Sequence, residues 1–134
     1  MRKRLKIESK IDNLRVVEKE IDDISAEIGI RQDYYGKILV TTMEAVNNAI
    51  VHGNKCDESK SVEIHISFKD RILKITVKDE GQGFVPKEIP DPTKPENIEN
   101  FHGRGVFLMS KLADEIEFND RGNEVTMSFK GIDT

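Results

Sequence analysis

The amino-acid sequence predicts a two-layer α/β sandwich, in which a mixed, mainly antiparallel sheet carries three helices on one face. Two long segments with apolar residues at helical spacing come before a pair of segments in which apolar and polar residues alternate. A third helical segment and two further alternating segments follow. With 134 residues, 37% of them hydrophobic, the chain is long enough to bury a core, and we expect a single domain over residues 1–134.

The composition excludes several classes of protein. The net charge of -4 argues against direct binding of nucleic acid. No apolar run approaches the ~20 residues that a membrane-spanning helix needs, so we expect no membrane contact and a cytoplasmic protein. Cys56 is the only cysteine, which leaves neither an internal disulfide nor a cysteine-based metal site.

The N-terminal segment predicts one strand followed by one helix. Leu5 and Ile7 alternate with polar residues, which indicates a short first strand. Apolar residues then recur at helical spacing and predict an amphipathic helix that Gly29 ends. The residues of this apolar stripe are Ile11, Leu14, Val17, Ile21, Ile24 and Ile28.

The second helix, predicted from about Gln32 to His52, carries the first candidate functional residues. Glu44 and Asn48 are four residues apart and therefore share one face. Val40 and Val51 lie on the same face, which indicates the wall of a partly covered pocket. A carboxylate there can accept a proton, and an amide oxygen can bind a hard cation. Taken alone, a solvated Glu and Asn are the commoner explanation.

Two alternating segments, residues 62–68 and 73–77, predict an antiparallel hairpin with one wet face. The hairpin runs directly into Asp79, Gly81 and Gly83, which form the motif Asp-x-Gly-x-Gly. Two glycines this close together at a strand end indicate unusual dihedrals or a close approach of the backbone to something bulky.

The following segment has neither helical nor strand periodicity. All four prolines lie within it, and a segment of this length inside a compact domain is usually a lid or disordered. We interpret residues 84–102 as a lid over a ligand. Gly103 and Gly105 then open a third helix, and free N–H groups at a helix N-terminus are typical of a phosphate site. A flexible helix start is the alternative. Two more strands are predicted around residues 116–118 and 125–129.

Three motifs therefore follow one another: Glu-x-x-x-Asn, Asp-x-Gly-x-Gly-Phe, and Gly-x-Gly before a helix. In this order they resemble the Bergerat fold of the ATPase superfamily that includes gyrase B, MutL and the ATP-binding domains of histidine kinases. The resemblance covers almost the whole chain. The compact size and the runs EAVNNAIVHGN and GRGVFLMSKLADE are most similar to the anti-sigma factor serine kinases of bacteria.

The resemblance implies a role for each candidate residue. Glu44 is the implied catalytic base, which accepts the proton of an attacking serine hydroxyl, and Asn48 is implied to bind Mg²⁺ between the phosphates of ATP. Asp79 is implied to accept a hydrogen bond from the adenine amino group, with Gly81 and Gly83 admitting the base. Further implied nucleotide contacts are Gly103, Arg104, Gly105, Val106 and Phe107 at the phosphates and Thr126 near adenine.

The chain departs from the family's pattern at two places. Some anti-sigma kinases have an arginine shortly before the second glycine pair, where residues 101–102 are Phe-His in this chain. Many have Gly-Thr-Thr before the last strand, where residues 122–124 are Gly-Asn-Glu, and Thr126 is interpreted as the substitute. These departures bear more on kinase turnover than on nucleotide binding.

The resemblance implies an anti-sigma regulatory factor that uses ATP and Mg²⁺. Such a protein binds a sigma factor, phosphorylates a serine of an anti-anti-sigma (STAS) protein, and is commonly a homodimer. Three alternatives stay open. They are a detached histidine-kinase ATP-binding domain, a switch that binds nucleotide and partner without transferring phosphate, and an α/β domain whose glycines are only turns.

Overall fold

The computed structural model describes residues 1–81 and 109–133 of the chain. The helices and strands within these residues are β1 (Arg2–Glu8), α1 (Leu14–Ile28), α2 (Gln32–Asn48), β2 (Ser61–Lys69), β3 (Ile72–Lys78), β4 (Glu115–Phe118) and β5 (Glu124–Lys130). Residues 109–112 are also helical and correspond to the end of the third predicted helix. The strands form one sheet in the order β1-β2-β3-β5-β4, and the predicted two-layer sandwich is confirmed.

The sheet is antiparallel throughout its described part. The sequence predicts a mixed, mainly antiparallel sheet, and all four pairings among the described strands are antiparallel. The β2–β3 hairpin turns at Asp70 and Arg71, whose φ angles are 54° and 63°. Positive φ at both residues is the type I′ geometry, which suits the right-handed twist of the flanking strands.

The core lies between the sheet and the two long helices. In β2 and β3 alternate side chains are buried, and they pack with α1 and α2 in one hydrophobic cluster. Its central members are at most 1% exposed and include Ile21, Ile38, Ile64, Ile75 and Met127. The other face of β2 and β3 is polar. Among the described residues, no helix has the length and apolar character needed to cross a lipid bilayer.

Both predicted long helices are confirmed, and their ends position the chain that follows. α1 ends at Gly29, whose φ of 79° is left-handed. α2 continues as one π-helical turn, Ala49–Gly53, so the helical segment ends one residue after the predicted range 32–52. π-Helical turns are rare and frequently occur at functional sites. Here the turn places Asn54 beside the end of β3.

Candidate functional site

The C-terminal end of the α2 segment contacts the turn that follows β3. A Cβ atom added to Gly81 would collide with the carbonyl oxygen of Gly53, and one added to Gly53 would collide with the carboxyl group of Asp79. The sequence predicts a close approach to the backbone at Gly81, and in the structure the approaching group is the main chain of Gly53. The contact brings the Asp79 motif against the helix that carries Glu44 and Asn48.

Asp79 is a partly buried carboxylate at this contact. Its Oδ1 accepts a hydrogen bond of 2.8 Å from the N–H of Gly81, which orients the carboxyl group. Burial raises the pKa of Asp79 above its usual value, and the Gly81 hydrogen bond and the charges of Arg121 and Lys60 offset part of this rise. Arg121 also donates from Nη2 to the carbonyl oxygen of Gly81 at 3.1 Å.

Two asparagines hold the main chain of this turn. Asn54 Oδ1 accepts the N–H of Glu80 at 2.7 Å. Asn123 Nδ2 donates to the carbonyl oxygen of Asp79 at 2.9 Å. Neither asparagine is predicted as a site residue, because these contacts join residues 26 and 44 positions apart. The one local signal is that each asparagine directly follows a glycine, Gly53 at the end of the π-helical turn and Gly122 in the turn before β5.

Glu44 and Asn48 lie on one side of α2, as the sequence predicts. Both side chains are partly exposed, and Val40, one turn earlier on the same side, is 42% exposed. Asn48 is the last residue before the π-helical turn that ends at Gly53. Five residues of helix, at most about 7.5 Å of rise, therefore separate Asn48 from the contact with Asp79.

Thr126 lies on the polar face of the sheet. Its Oγ1 is 2.9 Å from Oγ1 of Thr76, its partner across β3 and β5. Successive side chains of a strand point to opposite faces, so Thr76 and Asp79, three residues apart, project from different faces. The structure therefore does not bring Thr126 to Asp79. Asn123 contacts Asp79 instead.

The Histidine kinase-like ATPase domain family matches residues 7–129 of this chain. The chain belongs to this family. The anti-sigma F factor of Clostridium perfringens is 31% identical over 134 residues, which cover 95% of this chain and 94% of that protein. The serine-protein kinase RsbW of Oceanobacillus iheyensis is 24% identical over 96% of this chain and 85% of that protein. These relatives support an anti-sigma regulatory role.

The fold is also found in a solved structure. It contains the RsbU and RsbW domains of a Mycobacterium tuberculosis protein and matches with a TM-score of 0.71, at 17% identity, over 97% of this chain. The chain spans 32% of that longer chain. The likeness confirms the predicted fold of this histidine kinase-like ATPase domain, and membership of an ATPase family implies ATP binding.

Several predicted features of this ATPase domain lie outside the described residues. They are the lid over residues 84–102 and the candidate residues Gly83, Gly103, Arg104, Gly105, Val106 and Phe107. The described part of the site thus consists of the helix with Glu44 and Asn48 and the turn with Asp79 and Gly81. These two parts meet at Gly53.

Proposed function

We propose that this protein is an ATP-dependent anti-sigma factor with serine kinase activity. It binds a sigma factor and phosphorylates a serine of an anti-anti-sigma protein of the STAS type, in the cytoplasm and as a homodimer. The contact of Gly53 with Asp79 carries the proposal, because it joins the adenine motif to the helix with Glu44 and Asn48. The names of two relatives, an anti-sigma F factor and a serine-protein kinase, support both parts of the activity.

Asp79 is the residue proposed to select adenine. An ionised carboxylate only accepts hydrogen bonds, so it suits the 6-amino group of adenine and opposes the carbonyl oxygen of guanine. Burial raises the pKa of Asp79, and the N–H of Gly81 and the charges of Arg121 and Lys60 offset part of this rise and so favour the ionised form that this role requires. Gly81 and Gly83 are proposed as further contacts of the base; the missing Cβ atom of Gly81 also admits the main chain of Gly53, which holds the turn against α2.

Asn48 is proposed to supply one oxygen to Mg²⁺. This ion is commonly held by one or two protein oxygens together with waters and the phosphates of its substrate, so a single amide on a partly exposed helix face fits it. When bound, Mg²⁺ neutralises charge on the phosphates. The residues proposed to hold the phosphates themselves, where the sequence predicts the start of the third helix, are Gly103, Arg104, Gly105, Val106 and Phe107.

Glu44 is proposed to accept the proton of the attacking serine hydroxyl. It lies one helical turn, about 6 Å of rise, from Asn48 on the same side of α2, so the base and the metal ligand are held by one rigid element. Phosphoryl transfer depends mainly on positioning and charge neutralisation. The partly exposed position of Glu44 leaves it accessible to the serine of a second protein.

The test is incubation of the purified protein with γ-labelled ATP and Mg²⁺ in the presence of a STAS-domain partner encoded near it. Label is expected on a serine of the partner. Glu44→Gln should abolish the transfer and leave ATP affinity, measured by calorimetry, within about threefold of wild type, because the base contacts the serine rather than the nucleotide.

Glu117→Gln is the matched control, since Glu117 is an exposed carboxylate on β4 outside the site. It should transfer label at the wild-type rate. A wild-type protein that binds ATP tightly but labels none of the STAS partners offered would replace the kinase with a nucleotide-dependent switch that does not transfer phosphate.

A further inference from the structure

Asn54 is a buried amide at a junction of four elements. It follows the π-helical turn of α2 and is 1% exposed. Its Nδ2 donates to Ser9 Oγ at 2.8 Å and to the carbonyl oxygen of Ser61 at 3.0 Å, and its Oδ1 accepts the N–H of Glu80 at 2.7 Å. These three bonds reach the ends of β1, β2 and β3. They use most of the capacity of an amide side chain, so its orientation is fixed.

Asn123 holds the same turn from the opposite side of the site. It is 4% exposed and lies just before β5. Its side-chain Nδ2 donates to the carbonyl oxygen of Asp79 at 2.9 Å. Its main-chain carbonyl oxygen accepts the N–H of Asp79, also at 2.9 Å. Asn119 in turn donates from Nδ2 to Asn123 Oδ1 at 2.8 Å, which fixes which end of the amide faces Asp79.

The two asparagines act on one peptide group, the one that joins Asp79 to Glu80. Asn123 binds its C=O and Asn54 binds its N–H. A peptide group is planar, so hydrogen bonds at both ends fix its rotation and with it the direction of the Cα–Cβ bond of Asp79. Both side chains are neutral at all pH values, so they orient the carboxylate without changing its charge.

We propose that Asn54 and Asn123 are positioning residues for base selection, which clamp the Asp79–Glu80 peptide so that the carboxylate of Asp79 meets the amino group of adenine. The proposal rests on the proposed binding of ATP at Asp79. It predicts that loss of either amide weakens the recognition of one particular group of the ligand, rather than nucleotide binding as a whole.

The experiment compares two ligands, ATP and the triphosphate of purine riboside, which lacks the 6-amino group. Affinities are measured by calorimetry for wild type, Asn54→Ala and Asn123→Ala, at a temperature at which circular dichroism shows each variant to be folded. Wild type should prefer ATP by at least about tenfold, the usual value of one hydrogen bond to a charged group. Each variant should reduce this preference to less than about threefold, while its affinity for the purine analogue stays close to wild type.

Thr42→Val is the control for a loss of stability without a change at the turn. Thr42 is fully buried in α2, and its hydroxyl donates to the carbonyl oxygen of Ile38 at 2.7 Å. This variant should keep the wild-type preference for ATP. Variants at Asn54 and Asn123 that melt earlier but keep the full preference would make the two amides purely structural and overturn the proposal. A wild-type protein that binds ATP without any preference over the analogue contradicts the role of Asp79 itself.

Discussion

Gly53 and Asp79 are in direct contact, and the carboxyl group of Asp79 occupies the space that a side chain at position 53 would fill. Gly53 ends the helical segment that carries Glu44 and Asn48, and Asp79 follows the central strand β3. Residues far apart in the chain are thereby held at one place. Because neither Gly53 nor Gly81 has a Cβ atom, the end of the helical segment can lie directly against the turn after β3 at the candidate nucleotide site.

Gly53→Ala should displace the Asp79 carboxyl group and weaken ATP binding. The new methyl group meets a side chain that can rotate, so the free energy of unfolding should fall by no more than about 1 kcal/mol. ATP affinity should fall by about tenfold or more, because the hydrogen bond to adenine is lost. Calorimetric titration and thermal melting measure the two effects. Unchanged ATP affinity in a folded Gly53→Ala protein would show that Asp79 is not the adenine ligand.

Gly81→Ala should destabilise the fold itself. Its Cβ atom would collide with the carbonyl group of Gly53, which is main chain and cannot rotate away. We expect a loss of about 1–3 kcal/mol in the free energy of unfolding, as in other overpacked sites, measured by urea denaturation. The outcome that contradicts this contact is a Gly81→Ala midpoint equal to that of wild type.

Gly36→Ala should have the opposite effect and provides the control for both glycine variants. Gly36 is an exposed residue of α2 with no atom within 4 Å of the position of an added Cβ. Alanine restricts the unfolded chain and favours the helix, so stability should rise by about 0.5–1 kcal/mol. ATP affinity should not change. A loss of stability would mean that α2 requires glycine here for a contact outside the described residues.

The helices and strands were largely predictable because each depends on a local pattern. The hairpin of β2 and β3 and the apolar stripe of α1 require only alternation or helical spacing, and Gly29 ends α1 as expected. The π-helical turn Ala49–Gly53 was not predicted. It depends on hydrogen bonds in which Asn54 donates to Ala49 and Cys56 to Ile50, and no periodic pattern specifies such a turn.

The candidate site was predictable only where its residues are local partners. Glu44 and Asn48 share a face through their spacing alone. Asn123 could not be assigned, since its contact with Asp79 depends on how β3 and β5 are paired. Thr126 pairs with Thr76 on the polar face of the sheet, and its interpretation as a residue near adenine stays a prediction.

The raised pKa of Asp79 predicts a pH-dependent stability that Asp79→Asn removes. Burial raises the pKa of Asp79 in the folded protein above 3.8, the ordinary value that it has in the unfolded chain. At a pH between 3.8 and the raised pKa, the folded state therefore binds more protons than the unfolded state. The contribution of Asp79 to the free energy of unfolding should therefore fall as the pH rises through that interval and stay level above it. Thermal melting of the nucleotide-free protein across the acidic range should show that wild type loses stability relative to Asp79→Asn through this interval.

The control for the pH experiment is Asp120→Asn, at an exposed position in the turn between β4 and β5. Asp120→Asn should lose stability relative to Asp79→Asn through the same interval, as wild type does. If Asp79→Asn follows the wild-type curve at every pH, burial does not penalise the ionised form of Asp79. At pH values above the raised pKa of Asp79, the Asp79→Asn protein should be at least as stable as wild type. It should nevertheless bind ATP more weakly, which separates the effect on stability from the effect on function.

Tyr35→Phe should loosen the packing of α1 against α2. The hydroxyl of Tyr35 donates a hydrogen bond to Asp22, and this bond raises the pKa of Tyr35 above 10.0. Because the pair is exposed, the loss at neutral pH should be at most about 1 kcal/mol. The contribution is present below pH 10.0 and is lost as the pH rises through the raised pKa. Tyr34→Phe, which keeps the ring contacts with Arg31 and Lys37, should melt like wild type in urea.

Asn48→Ala should remove the dependence of ATP affinity on Mg²⁺. The amide oxygen of Asn48 is proposed to bind the ion, so the variant should bind ATP in the presence of Mg²⁺ hardly better than without it. Asn47→Ala is a close control, because Asn47 is also partly exposed in α2 but points about 100° away around the helix. It should retain the full effect of Mg²⁺ in calorimetric titrations with and without the ion. If both variants lose the effect of Mg²⁺ on ATP affinity equally, the cause is a general disturbance of α2. A loss confined to Asn48→Ala locates the metal one helical turn from Glu44. The transferred phosphate must lie there for Glu44 to act as the base.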